Sequence, residues 1–110
     1  MNNPEERLAY LKKLLAEDPQ EAFLHYAVCL EEQKTDSQKA ISSFEKLIAR
    51  FPDYLPGYYQ YALILAESGM TSKAQQITES GITLAQNQQD LHAVSELKGL
   101  RQNILAGEFD

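Results

Sequence analysis

The sequence has few of the residues that break or cross-link a chain. Its 110 residues include four prolines, five glycines, no tryptophan and one cysteine, Cys29. So few prolines and glycines argue against a low-complexity linker and against a turn-rich β-protein. A single cysteine cannot form an intramolecular disulfide, which suits a reducing compartment. The most frequent residues include leucine, alanine, glutamate, glutamine and lysine. Because these are helix formers, they predict an all-α protein.

The sequence also lacks an excess of positive charge and any long apolar run. Ten lysine and arginine residues stand against 16 aspartate and glutamate residues, for a net charge of −6. An acidic chain lacks the attraction that drives non-specific binding to phosphate backbones, so we expect neither nucleic acid nor membrane as a partner. The N-terminal residues show no apolar core of signal-peptide type, and no run reaches membrane-spanning length. We therefore expect a cytoplasmic protein.

Apolar spacing predicts about six helices separated by short polar turns. The expected ranges are about 4–17, 20–33, 36–50, 55–68, 71–87 and 90–106. Asn3 is a good N-cap before Pro4, while Thr35 and Ser72 each begin a capping-box sequence. Gly69 supplies the left-handed residue that commonly ends a helix. The fourth helix is apolar on nearly all sides, which predicts a central, buried position.

Apolar positions of successive helical pairs recur along the chain. At an offset of 35 residues the matching pairs are Phe23 and Tyr58, Tyr26 and Tyr61, Ala27 and Ala62, and Leu30 and Leu65. Offsets of 33 and 34 residues relate other helices, so the unit is a helical pair of about 34 residues. We predict one domain with a half-unit at 4–19, repeats at 20–52 and 55–87, and a capping helix at 90–106.

This period and this two-helix unit resemble the tetratricopeptide repeat. The residues that carry the resemblance are Ala40, Phe44, Pro52, Tyr58, Tyr61, Ala62, Leu65, Gly69 and Ala74. The resemblance extends over nearly the whole chain and implies an α–α superhelix, a solenoid of antiparallel helices. Longer segments, such as FPDYLPGYYQYALILAESG, are similar to a family of small bacterial two-repeat proteins without an assigned activity. The first repeat departs from the pattern in its inter-helix turn, where Lys34 and Thr35 stand without a glycine.

The resemblance also implies a binding surface. In the family, the first helices of stacked repeats line a concave groove that holds peptides or helices. The corresponding positions here are Glu21, Leu24, Val28, Glu31, Tyr59, Leu63, Ala66 and Glu67. The resemblance implies that they form an apolar groove with acidic ends for a protein or peptide partner. An equally weighted reading is that the terminal helices simply cover the apolar positions, with the sixth helix folded over the groove.

No catalytic or metal-binding constellation emerges from the sequence. His25 and Cys29 are four residues apart and share a helix face, but two ligands are too few for a metal, and His92 lies in a distant helix. Nothing marks the Cys29 thiol as an activated nucleophile. The glutamates that end the second and fourth helices, Glu31, Glu32 and Glu67, are expected to be solvated. We predict a non-catalytic interaction module without a cofactor, either a monomer or a homodimer; the alternative is a self-assembling module that dimerises through stacked terminal helices.

Overall fold

The structure, a computed structural model, describes residues 3–110 and confirms the all-α fold. It contains the helices α1 (Pro4–Glu17), α2 (Ala22–Gln33), α3 (Ser37–Arg50), α4 (Leu55–Glu67), α5 (Thr71–Asn87) and α6 (Leu91–Leu105). No strand occurs within the described residues. Each helix begins and ends within about two residues of its expected position, the usual uncertainty of helix ends. Over the same residues, no helix is both long and apolar enough to cross a membrane.

The chain divides into two compact units, Met1–Pro52 and Asp53–Asp110. In the first unit, α2 packs against both α1 and α3. In the second unit, α5 packs against both α4 and α6, and α4 also contacts α6. The division falls where the first repeat was expected to end. The arrangement of a half-unit, two repeats and a cap within one domain stays a prediction.

Local hydrogen bonds account for several helix ends. The Asn3 side chain accepts a hydrogen bond from the Glu6 N–H at 2.8 Å, and the Asp36 side chain accepts one from the Lys39 N–H at 3.1 Å. Each bond satisfies an N–H group that has no partner inside its helix. Gly69 follows α4 with φ of +81°, in the left-handed region where glycine carries no Cβ penalty.

The two capping boxes expected at Thr35 and Ser72 are not formed as predicted. Before α3, the cap is Asp36 rather than Thr35, whose hydroxyl instead donates to the Glu32 carbonyl at 3.4 Å. Before α5, Met70 occupies the cap position without a side-chain bond, so Ser72 lies inside the first turn. Met70 is already part of the turn that closes α4, because its N–H donates to the Leu65 carbonyl at 2.9 Å. The short connection therefore has no separate capping residue.

The extent of burial differs strongly between the helices. Eight of the 13 residues of α4 are buried, in line with its all-round apolarity, whereas α1 has no buried residue. The α1 helix packs against α2 alone within its unit, so its apolar stripe stays half-buried. In α2, the side that contains Val28 and Cys29 is buried, while Phe23 is 58% exposed although its repeat partner Tyr58 is buried.

Gly81 lies at a close approach between helices of the second unit. A Cβ atom at this position would lie 3.1 Å from the Cβ of Tyr58 on α4 and 3.2 Å from a methyl carbon of Leu97 on α6. Both distances are shorter than ordinary van der Waals contact between carbon atoms. A larger residue at position 81 would therefore force α4 or α6 to shift slightly away from α5.

Candidate partner-binding residues

The first unit contributes four of the predicted groove residues, all on or next to α2. Glu21 is exposed and caps the helix, with its carboxylate accepting a hydrogen bond from the Phe23 N–H at 3.2 Å. Leu24 is half-buried and Val28, one turn later, is buried. Among the predicted groove residues of this unit, the accessible apolar surface is therefore mainly that of Leu24.

Glu31, the fourth of these residues, is engaged in ion pairs rather than solvated. Its Oε1 accepts hydrogen bonds from Arg7 Nε at 3.2 Å and from Lys34 Nζ at 3.0 Å. Burial alone would raise the pKa of the Glu31 carboxyl, but the bonds to Lys34 and Arg7 outweigh this effect and hold the pKa below its ordinary value. The carboxylate thus ties α1 to α2.

The neighbouring Glu32 also departs from the expectation of a solvated helix end. It is only 4% exposed, and its Oε1 accepts a hydrogen bond of 2.6 Å from the Ser43 hydroxyl on α3. Lys39 Nζ lies 3.7 Å from its other oxygen. A carboxylate at this depth needs such partners, because an unpaired buried charge is costly.

The second unit contributes the other four residues, all on α4. Tyr59 is half-buried and packs against the cluster of Leu55, Ile82, Ala85 and Leu97. Leu63, one turn further on the same helix face, is also half-buried. Ala66 is only 1% exposed, whereas Glu67 is exposed, as expected for a solvated helix end. The accessible apolar surface of this set therefore belongs to Tyr59 and Leu63.

The residues considered for metal binding or catalysis have other structural roles. His25 Nε2 lies 2.8 Å from the Pro19 carbonyl oxygen, so this nitrogen carries a hydrogen, donates a hydrogen bond to that oxygen and is not a free ligand. Burial, followed by the charge of Glu32, raises the pKa of the Cys29 thiol to about 12, so the sulfur is a neutral thiol at physiological pH. His92 lies 3.3 Å from Glu96 on the surface of α6. Within residues 3–110, no group of three or more His, Cys, Asp or Glu side chains could hold a metal ion.

Sequence reasoning missed a cavity of about 220 Å³ between α2 and α3. Its lining residues are His25, Val28, Cys29, Ser43, Lys46, Leu47, Arg50 and Phe51. The signal that could have pointed to it is the pair Lys46 and Arg50, two cations one turn apart on α3 that flank the apolar Leu47.

Comparisons with known proteins agree with this architecture. A family model described as tetratricopeptide repeat matches residues 21–54, which contain α2 and α3. A solution NMR structure of a tetratricopeptide repeat domain protein from Salinibacter ruber is similar with a TM-score of 0.75 and 28% identity, over 79% of this chain and 89% of that one. A crystal structure of a tetratricopeptide repeat domain protein from the same organism is similar with a TM-score of 0.72 and 26% identity, over 76% of this chain and 96% of that one. No curated protein matches the sequence.

The matched stretch coincides with the helical pair that was predicted as the first repeat, and the structural matches extend over both units. The chain thus contains a tetratricopeptide repeat and has the fold of tetratricopeptide repeat domain proteins.

Proposed function

We propose that this chain is a non-catalytic module that binds a partner helix or an extended peptide through α2 and α4, the first helices of its two helical pairs. The tetratricopeptide fold generally mediates protein–protein interaction. The observation that carries the proposal is Leu63, which stays half-exposed on a helix that is otherwise mostly buried. Complete burial of such a leucine by a partner would contribute about 1 kcal/mol.

The anchors that we propose are Leu24, Tyr59 and Leu63. Each is half-buried, so the surrounding helices restrict its rotamers while part of its apolar surface stays accessible. This limits the entropy that is lost on binding. The anchors Tyr59 and Leu63 are one helical turn apart, a spacing that matches a helix or peptide laid along α4. Val28 and Ala66, which are buried, would pack against these anchors and hold them in position.

The two exposed glutamates among the predicted groove residues would favour a partner with positive charge. Glu21 and Glu67 are exposed, and neither forms an ion pair within the described residues. Exposed carboxylates at the rim of a contact act on association rate and specificity more than on affinity. A partner with basic residues beside its apolar anchors would fit best.

Leu63→Glu should strongly weaken partner binding while the helices remain. A charge within the apolar contact leaves an unpaired carboxylate on binding, so we expect an affinity loss of more than about tenfold. The matched control is Leu105→Glu, an exposed leucine on α6 outside the proposed set. The measurement is affinity capture with wild type, Leu63→Glu and Leu105→Glu as bait. Titration of the purified partner and circular dichroism of each variant follow. Equal retention of the partner by wild type and Leu63→Glu would refute the assignment; if Leu63→Glu loses helicity, Tyr59→Ala replaces it.

Self-assembly into a homodimer is a second candidate function, and exposed apolar side chains on the terminal helices favour it. Tyr10 on α1 is 47% exposed, and Leu91 and Leu105 on α6 are 81% and 65% exposed. Stacking a terminal helix on a second copy would remove this surface from water. Light scattering at several concentrations should then show a dimer that Leu91→Glu dissociates. A mass of one chain at every concentration would exclude this candidate.

A further inference from the structure

We propose that the cavity between α2 and α3 binds an acidic peptide, specifically a carboxylate side chain next to an aromatic or branched apolar one. This site belongs to the first unit alone. It has only Val28 in common with the residues proposed above for partner binding. It is therefore a separate site with a different ligand chemistry.

The cavity combines an apolar floor with a basic rim. Val28, Cys29, Leu47 and Phe51 supply apolar surface, and the Cys29 thiol counts among them because it remains neutral. No carboxylate lines the cavity. Its volume of about 220 Å³ lies below the roughly 300–1,000 Å³ of pockets that enclose small molecules. The space thus suits one side chain of a larger ligand better than a whole cofactor.

The two cations at the rim have no acidic partner in the described part of the chain. Lys46 and Arg50 are exposed and one turn apart on α3, a spacing at which like charges repel. In the same unit, Arg7, Lys34 and Lys39 all pair with glutamates. A carboxylate bound between Lys46 and Arg50 would relieve their repulsion and form charge-assisted hydrogen bonds.

Neighbouring rings hold one end of this rim in place. The Arg50 guanidinium lies over the Phe51 ring at 5.3 Å from its centroid, and the His25 ring is tilted against the same ring at 5.2 Å. His25 is itself held by its bond to the Pro19 carbonyl. A cation and two rings that are already ordered lose little entropy when a ligand binds.

The charges around the cavity also give the ligand a direction. At the other end, the Ser43 hydroxyl donates to the Glu32 carboxylate at 2.6 Å, so it is committed within the protein. The negative charge of Glu32 repels a ligand carboxylate from that end. We therefore expect the carboxylate at Lys46 and Arg50, and the apolar side chain towards Cys29 and Leu47.

The test uses a fluorescein-labelled peptide, Gly-Asp-Phe-Asp-Gly with blocked ends, and the same peptide with asparagine in place of aspartate. Fluorescence anisotropy should show saturable binding of the acidic peptide to the full chain. The double variant Lys46→Glu/Arg50→Glu should weaken it by at least about tenfold. Raising the salt concentration from about 50 to about 500 mM should also weaken it, because the rim is exposed and open to screening.

The matched control is Lys12→Glu/Lys13→Glu, which changes the net charge equally at two exposed positions of α1. It should leave the affinity within about twofold, whereas an equal loss in both double variants would show a mere net-charge effect and overturn the proposal. Binding of the asparagine peptide with the same affinity, or no saturable binding, would also overturn it. Competition by 3-phenylpropionate as strong as that of the peptide would assign the cavity to small organic acids instead.

Chemical shifts of the backbone amides, measured by NMR with and without the peptide, distinguish this proposal from the proposed function. Peptide-induced changes should centre on Ser43, Lys46 and Arg50, and Leu63→Glu should leave the peptide affinity unchanged. Changes centred on α4 would place the peptide at Tyr59 and Leu63, which would overturn this site and support the partner face. Loss of partner capture in Leu63→Glu with no peptide binding at α3 would leave the proposed function standing and this site refuted.

Discussion

Replacing Phe44 by alanine should lower the free energy of unfolding by about 3–5 kcal/mol. Phe44 lies in the middle of α3, is fully buried, and meets the ring of Tyr26 on α2 edge-on, with centroids 6.4 Å apart. The substitution removes buried aromatic surface and leaves a cavity that close-packed helices fill only in part. Urea denaturation followed by far-ultraviolet circular dichroism measures the change.

Phe23→Ala is the matched control for this prediction, since it removes the same side chain from the same unit. Phe23 lies in the first turn of α2 with 58% of its surface exposed. Because most of its ring already contacts water, we expect a loss below about 1 kcal/mol. Similar losses in both variants would contradict the packing of α2 in which Val28 and Cys29, rather than Phe23, are buried.

Replacing Gly81 by valine should destabilise the protein by about 2–3 kcal/mol, although valine is the better helix former. The new Cβ would stand 3.1 Å from the Cβ of Tyr58, an atom fixed to the backbone of α4. The Leu97 methyl groups on α6, at 3.2 and 3.3 Å, could move only within a closely packed core. The α5 helix would therefore have to shift from one of its neighbours, which urea denaturation detects as a lower midpoint.

Gly99→Val tests whether this cost is steric. Gly99 lies on α6, and a Cβ at this position would meet no atom within 4 Å. The same substitution should then be neutral or stabilise the protein by a few tenths of a kcal/mol, because valine has the higher helix propensity. A comparable destabilisation at Gly99 would show that valine is poorly tolerated in these helices in general, and the close approach at Gly81 would no longer explain the effect.

Helix ends were predicted well where capping is a local event. Asn3 and Gly69 act within a few residues of their own positions, and both have the expected geometry. The start of α5 was predicted from Ser72, but the turn that closes α4 extends to Met70 and determines the cap. Two helices that share a short connection compete for the same residues, which a motif taken alone does not reveal.

The buried face of α2 could not be predicted from its apolar pattern. At the repeat offset, four apolar residues of α2 correspond to residues that are buried in α4: Phe23 to Tyr58, Tyr26 to Tyr61, Ala27 to Ala62 and Leu30 to Leu65. The structure instead buries Val28 and Cys29, which line the cavity with Leu47 of α3. The direction from which α3 approaches decides which side of α2 is covered, and the pattern of α2 alone does not contain that direction.

The candidate sites also include residues that the sequence predicts and a cavity that only the structure shows. The anchors Leu24, Tyr59 and Leu63 came from the positions that the family uses, and their role stays a prediction. The cavity at Lys46 and Arg50 was not found, because its other side, with His25, Val28 and Cys29, belongs to α2 rather than to α3. A pocket formed by two helices becomes visible only when both are placed.

By itself the sequence determined the helices, their order and their two-helix period, because backbone hydrogen bonds, caps and apolar spacing act within one or two turns. Only the tertiary structure decided which apolar stripes are buried and which charges are paired. Glu31 and Glu32 were expected in water, yet one is bonded to Arg7, 24 residues away, and the other to Ser43, 11 residues away. Burial and pairing are set by groups that only folding brings together.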